Sequence, residues 1–470
     1  MTRMNTRILR PVALVAALLA VASMVLAFKP RPTGVELVRE RGELVVVTRH
    51  APTTFYRNQH GPTGFEYELA EAFAADLGVE LRVITRETIG GVLDAVRSGE
   101  ADLAAAGLTV TDDRRERVTF STPYQKIREK VVYRMDEPRP ESPADLQGKD
   151  VVVLADSSHA ERLGPLASRH NFDLTRVDGA SAEKLMTLVD QKKFDYTVVD
   201  SNAFKMNRAL FPELASAFEL GEPRPLAWAF ASGAEDNSLY RAAQRYITRR
   251  KAQGYIARLR DRFYGHADHF NLYAARSFID HLYDRLPRYA DVFREAAQKH
   301  DLDWRLVAAM GYQESLWQKD AVSPTGVRGL MMLTRNTARH MGIQDRTDPE
   351  QSIRAGAAYL RQLLDRLPDR IPEPDRTWMA VAAYNVGLGH VEDARKITEY
   401  QGDDPDAWAD VRERLPLLKK PDYYRYTRHG YARSGAQSVL YVKHVQRYYD
   451  QLVWAEASER HGSRLVASAE

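Results

Sequence analysis

Two incompatible patterns of apolar residues divide this chain near residue 270. Before that point, short β-rich runs alternate with helical stretches: Leu44-Val45-Val46-Val47, then Tyr67 to Leu77 closed by Gly78, then Leu81 to Ile84, then Val92 to Val96. A second series opens at Val151-Val152-Val153-Leu154 and includes Tyr196-Thr197-Val198-Val199. Such alternation predicts an α/β architecture with largely parallel sheets, and two series predict two lobes facing a cleft. After 270 the β-rich runs stop. Phe278 to Leu286, Trp304 to Ser315, Ser352 to Leu367, Trp378 to Tyr384 and the stripe Tyr441, Val442, Val445, Tyr448, Tyr449 carry helical spacing, with Asp303 placed to cap the second of them. The expected organisation is therefore a two-lobed α/β domain over 40–266, a mainly α domain over 270–455 and a polar, disordered tail over 456–470.

With 470 residues the chain has room for these domains. A formal net charge of only +3 argues against a general nucleic-acid binder. The absence of cysteine excludes disulfides, thiolate metal sites, cysteine nucleophiles and a lipid anchor on an N-terminal cysteine. Nothing in the sequence calls for a metal or a cofactor. At the N-terminus, Arg3, Arg7 and Arg10 precede an apolar run from Val12 to Phe28, and Val25-Leu26-Ala27 has the small residues of a cleavage site. This reads as a cleaved signal peptide over 1–28, with a retained anchor as the alternative. In either case the positive charge sends the rest of the chain across the membrane. Lys29-Pro30-Arg31-Pro32 follows as a linker.

The chemistry is concentrated in the helical part. Glu314 lies in Gly311-Tyr312-Gln313-Glu314-Ser315, near the end of an apolar helix. Gly329-Leu330-Met331-Met332-Leu333-Thr334 follows after a loop, and Ala382-Ala383-Tyr384-Asn385-Val386-Gly387 after about fifty more residues. Burial raises the pKa of a carboxylic acid, so Glu314 can stay protonated near neutral pH and donate to a leaving oxygen. Glycosidases ordinarily pair such an acid with a second carboxylate, and no second carboxylate sits in an equally good motif. Ser315 either orients the acid or binds an acetamido group. Tyr384 either holds Glu314 or meets a transition-state oxygen, and Asn385 supports the loop or a sugar. Met331 and Met332 line a sugar groove or belong to the core.

Residues 290–450 resemble the family 1 lytic transglycosylases. The resemblance rests on Glu314-Ser315, Gly329-Leu330-Met331, the Ala-Tyr-Asn-x-Gly stretch around Tyr384-Asn385, and Tyr441-Val442. It implies a lysozyme-like helical domain acting on peptidoglycan, with Glu314 as the acid and Ser315, Met331, Met332, Tyr384, Asn385 and Tyr441 around the substrate. Met332 departs from the glutamine usual there. The resemblance is strongest to members in which an α/β binding-protein domain precedes the catalytic one. It further implies attachment to the outer membrane on its periplasmic side. A lysozyme-type hydrolase and a non-enzymatic envelope sensor are the alternatives.

Residues 40–265 resemble the periplasmic amino-acid-binding, family 3 solute-binding proteins, through Gly64-Phe65-Glu66, Gly107-Leu108-Thr109-Val110-Thr111, Arg114, Phe120-Ser121-Thr122-Pro123-Tyr124 and Asp200. Alone, Arg114 beside Arg115 and Arg117 reads as a solvated basic turn. The resemblance implies that Arg114 grips a ligand carboxylate and Asp200 an amino group, with Thr109, Ser157 and Ser158 nearby. Asp156 stands where that family often has glycine. The expected ligand is an amino acid or a muropeptide.

Overall fold

A computed structural model describes residues 34–467 apart from 59–60, 209, 235, 266–271 and 324–325. The apolar N-terminal run and the 29–32 linker lie outside the described residues. Among the described residues, no helix is long and apolar enough to cross a membrane.

The N-terminal domain holds two five-stranded sheets. The first orders its strands 80–85, 43–48, 103–104, 229–231, 118–120, and the second 173–177, 150–154, 196–200, 129–134, 214–219. In each sheet three neighbouring strands pair parallel and the last two pairings are antiparallel, so a single strand, 229–231 in the first and 129–134 in the second, runs against the rest. The expectation of largely parallel sheets holds in strand direction, and helical crossovers link three of the strands that share it. The others are contributed where the chain passes between lobes, and such passages impose no crossover handedness. The strands in the middle of each sheet are buried on both faces: Val151, Val152 and Val153 are fully buried, as are Leu44 and Val47. This is why they read as unbroken apolar runs rather than alternating ones. The chain crosses between lobes twice, and Gln125–Ile127 and Arg224–Leu226 pair antiparallel at the crossing. One apolar cluster spans both lobes, with Val45, Ile89 and Val92 from the first and Val152, Leu185, Met186 and Phe204 from the second.

The C-terminal domain is helical around one core. At its centre lies the helix Trp304–Ser315, in which Leu306 to Tyr312 are all buried. Asp303 caps its start by accepting from Arg305 N at 2.9 Å, as the sequence suggests. Leu316, in the left-handed conformation with φ 53°, ends it. The long helix Gly435–Ala467 packs along it. That helix runs past residue 455, so the expected disordered tail is a helical continuation as far as Ala467. Tyr56, from the strand Tyr56–Asn58 of the N-terminal domain, packs against the cores of both domains. Arg412 with Asp261, and Arg276 with Glu213, form ion pairs across the same junction.

Candidate active site

Helical geometry decides where each side chain of Gln313-Glu314-Ser315 points, because successive residues are turned by about 100°. Ser315 is rotated into the core: it is buried, and its hydroxyl donates to the Gly311 carbonyl at 3.1 Å. That back-bond is local helix chemistry, so Ser315 does not face a substrate. Glu314 stays partly open to solvent. Tyr441, buried in the second turn of the helix Gly435–Ala467, donates its hydroxyl to Glu314 Oε1 at 2.7 Å. Among the described residues nothing donates to Oε2. Burial drives the Glu314 pKa up to about 7, with the Tyr441 hydrogen bond opposing. No carboxylate is among the groups that shift it.

The glycine-led turn forms the facing wall. Gly329 has φ 93°, and a Cβ there would overlap the Arg346 carbonyl oxygen, so only glycine fits. Met332 N closes the turn onto Gly329 O at 3.1 Å. Two side chains clamp Met331 by its backbone: its N–H donates to Ser352 Oγ at 3.0 Å, and its carbonyl accepts from Tyr384 Oη at 2.9 Å. The Met331 side chain is fully buried, filling space that Gly311 and Gly356 leave open. Of the two alternatives for Met331, the core is the correct one. Met332, with φ 46°, is partly exposed and lies outside that core.

Tyr384 therefore holds the turn rather than the acid, although it is close enough for the Glu314 charge to help raise its pKa, after burial. Its ring also meets Tyr359, with centroids 5.4 Å apart. Asn385 is exposed, and its Oδ1 accepts from Ser438 Oγ at 2.7 Å, tying the end of the helix Asp375–Val386 to the start of the helix that carries Tyr441. The site thus unites three stretches of sequence around one carboxylic acid.

In the N-terminal domain the expected ligand groups do gather, but they are already engaged. Arg114 is buried, with Nη1 on the Thr109 carbonyl at 3.0 Å and Nη2 on the Asp156 carbonyl at 2.7 Å. Its Nε lies 3.5 Å from Glu161 Oε1. The solvated basic turn is excluded. Asp200 Oδ1 meets His159 Nε2 at 2.8 Å. Ser157 is the cap of its own helix, accepting from Ala160 N at 3.1 Å, and Ser158 is buried. Ser157 therefore does not offer the free hydroxyl that was expected, because a residue at a helix start is claimed first by the helix's unpaired N–H groups. Thr109 contributes its carbonyl.

Comparison with known proteins agrees with both halves. The model described as "Bacterial extracellular solute-binding proteins, family 3" matches residues 44–266, and that described as "Transglycosylase SLT domain" matches 291–406. A protein of Alcanivorax borkumensis named membrane-bound lytic murein transglycosylase F is 52% identical over 453 residues, covering 96% of each chain. Proteins of the same name from Ectopseudomonas mendocina and Saccharophagus degradans are each 45% identical, covering 93% and 96% of this chain and 90% of theirs. The chain belongs to the membrane-bound lytic murein transglycosylase F family.

Within that family frame, four side chains of the two sites escaped the sequence reading. Ser352 and Ser438 are ordinary helix residues by pattern and become clamps only through contacts at long range. His159 and Glu161 carried a usable signal: two residues of opposite charge on the first turn after a strand, beside the serines already singled out. Tyr441 lies beyond the matched transglycosylase segment, and its bond to Glu314 is visible only in three dimensions.

Proposed function

We propose that Glu314 carries the reaction of this enzyme, a lytic transglycosylase that cleaves the β-1,4 bond between N-acetylmuramic acid and N-acetylglucosamine in peptidoglycan and leaves 1,6-anhydromuramic ends. The observation that carries the proposal is the environment of the acid. A carboxyl held near neutrality by burial, with one oxygen taken by Tyr441, keeps its proton on the free oxygen, Oε2. From there it can be donated to the departing glycosidic oxygen. Positive charge then develops at C1. With no neighbouring carboxylate to meet it, the 2-acetamido carbonyl of the muramic sugar supplies the stabilisation. Glu314, now ionised, takes the proton of the sugar's own 6-hydroxyl as that oxygen bonds to C1. One proton is given and one regained, and no water is consumed. Intramolecular attack competes with water because the nucleophile is already in place. Tyr441 positions the acid, Tyr384 and Ser352 position the turn, and Met332 and Asn385 face the glycan. Mass spectrometry of digested sacculi tests the proposal: anhydro ends are expected, and reducing ends would make the enzyme a hydrolase.

The two domains are read as 40–266 for solute binding and 270–455 for catalysis. The first takes an amino acid or a peptide of the cell wall, a reading supported by the resemblance to amino-acid-binding proteins and by the position of Arg114 and Asp200 between the lobes. Calorimetry with wall peptides, on the intact chain and on Arg114→Ala, tests it. Loss of a charged hydrogen bond to a ligand carboxylate should weaken binding by about one to two decades. The Arg-flanked apolar run supports export across the inner membrane, and the naming of the relatives as membrane-bound supports a peripheral place on the periplasmic face of the outer membrane.

A further inference from the structure

Arg114 and Asp200 are the groups through which the N-terminal cleft would hold a zwitterion, and each already has a partner of the opposite charge from within the chain. Both partners come from one turn of one helix, Ser158–His170. Glu161 brings a carboxylate to 3.5 Å from Arg114 Nε, and His159 brings an imidazole to 2.8 Å from Asp200 Oδ1. The two residues are separated by a single position, so they present a cation and an anion side by side, as an α-amino acid does.

Resting on the reading of this domain as a ligand cleft, we infer that His159 and Glu161 determine which solutes the cleft admits. They occupy from inside the chain the places of a ligand's ammonium and carboxylate groups, and so they exclude a free α-amino acid.

The geometry supports this at each nitrogen of the guanidinium. A carboxylate binds arginine best through two parallel N–H groups. Here Nη1 donates to Thr109 O, Nη2 donates to Asp156 O, and Nε faces Glu161, so every nitrogen already has an acceptor from within the chain and an incoming carboxylate competes with it. Arg114 belongs to the first lobe, while Asp156 and Glu161 belong to the second. The same contacts therefore hold the lobes together. Arg49 adds a second tie, donating from the first lobe to the Ala180 carbonyl at 2.8 Å. The groups facing His159 are Asp200, Glu129 and Arg114. Glu129 is itself held by Arg162 at 3.1 Å and Arg224 at 3.7 Å, which leaves Asp200 as the partner of the imidazole. Burial disfavours the imidazolium, but the hydrogen bond and charge of Asp200 outweigh it.

An incoming amino acid gains only the difference between its own contacts and those it displaces, and it must also open a closed pair of lobes. A ligand that overcomes this brings contacts beyond one ammonium and one carboxylate, as a peptide does. A single free amino acid does not.

The test uses the full chain. Calorimetry with L-glutamate, L-arginine and D-alanine at millimolar concentrations should show no binding to the wild type. The double variant His159→Ala, Glu161→Ala should bind at least one of them about ten-fold tighter or more. Because the chain has no cysteine, spin labels at Arg97→Cys and Lys193→Cys, one in each lobe, report the lobe separation. That separation should be single and short in the wild type and longer or broader in the double variant. Should the double variant not fold, Glu161→Gln keeps the shape and removes one charge, and a smaller change in the same direction is expected. A wild type that binds a free amino acid as tightly as the variant would overturn the inference and leave the cleft reading standing. A folded variant that binds none of the three would overturn the inference. If the wild type and the variant also bind no wall peptide, the cleft reading falls with it.

Discussion

Tyr441 and Glu314, 127 residues apart in sequence, share a hydrogen bond of 2.7 Å, and the tyrosine is the only described residue that donates to the acid's side chain. The bond favours the carboxylate, whereas burial favours the protonated form. The acid's readiness to donate near neutral pH is the balance of the two.

Replacing Glu314 by glutamine keeps the shape and removes the proton. Glu314→Gln should lower the release of muropeptides by roughly 10²–10⁴-fold while sacculi still bind in a pull-down assay. Activity within a few-fold of wild type would assign the acid elsewhere.

The same substitution should stabilise the fold at alkaline pH. Burial pushes the pKa of this carboxyl up to about 7 in the folded protein, against 4.5 for a solvated glutamate. Ionising it in the fold is therefore unfavourable, and the wild type loses stability as pH rises from about 4.5 to about 7. Glu314→Gln carries no such penalty. It should unfold later than wild type at pH 8, by about 1–3 kcal/mol, and the difference should vanish below pH 4.5. Thermal melts of both proteins across this range decide the matter.

Tyr441→Phe removes the contact that favours the ionised form. The descending limb of kcat/KM against pH, which reports the acid in the free enzyme, should move to higher pH. The maximal rate should fall about ten-fold as the carboxyl loses its anchor. A pH profile superimposable on that of wild type would show that the hydroxyl does not act through the acid.

Digestion in ¹⁸O-labelled water should give unlabelled anhydro-muropeptides, since the oxygen bonded to C1 comes from the sugar's 6-hydroxyl. Stoichiometric label at C1 would require water as the nucleophile.

Tyr384→Phe leaves the Met331 carbonyl without its partner and loosens the turn that presents Met332. A stability loss of about 1 kcal/mol is expected, with KM for glycan strands raised more than kcat is lowered. A fall confined to kcat would instead place the hydroxyl against a reacting atom.

Much of this architecture is legible in the sequence where local rules govern it. The helix Trp304–Ser315 has the expected limits because Asp303 caps it and its apolar residues leave no alternative. The strands at 43–48 and 150–154 are legible because burial on both faces makes them uniformly apolar. Local rules fail where a side chain has two plausible partners. Ser315 and Ser157 look available on paper, yet nearby backbone groups claim them. Met331 and Met332 are chemically identical neighbours, and only the left-handed turn separates the buried one from the partly exposed one. The engagement of Arg114 by two carbonyls could not be read from any spacing, because one of the two lies in the other lobe.

The position of Tyr441 along the chain bears on when the enzyme becomes able to cut. In the order of synthesis Glu314 precedes Tyr441 by 127 residues. Until the helix Gly435–Ala467 has settled along the acid helix, the carboxyl lacks its anchor and Asn385 lacks Ser438. The acid helix alone is thus not yet the finished site, and full cutting power waits on a segment made much later than the acid itself.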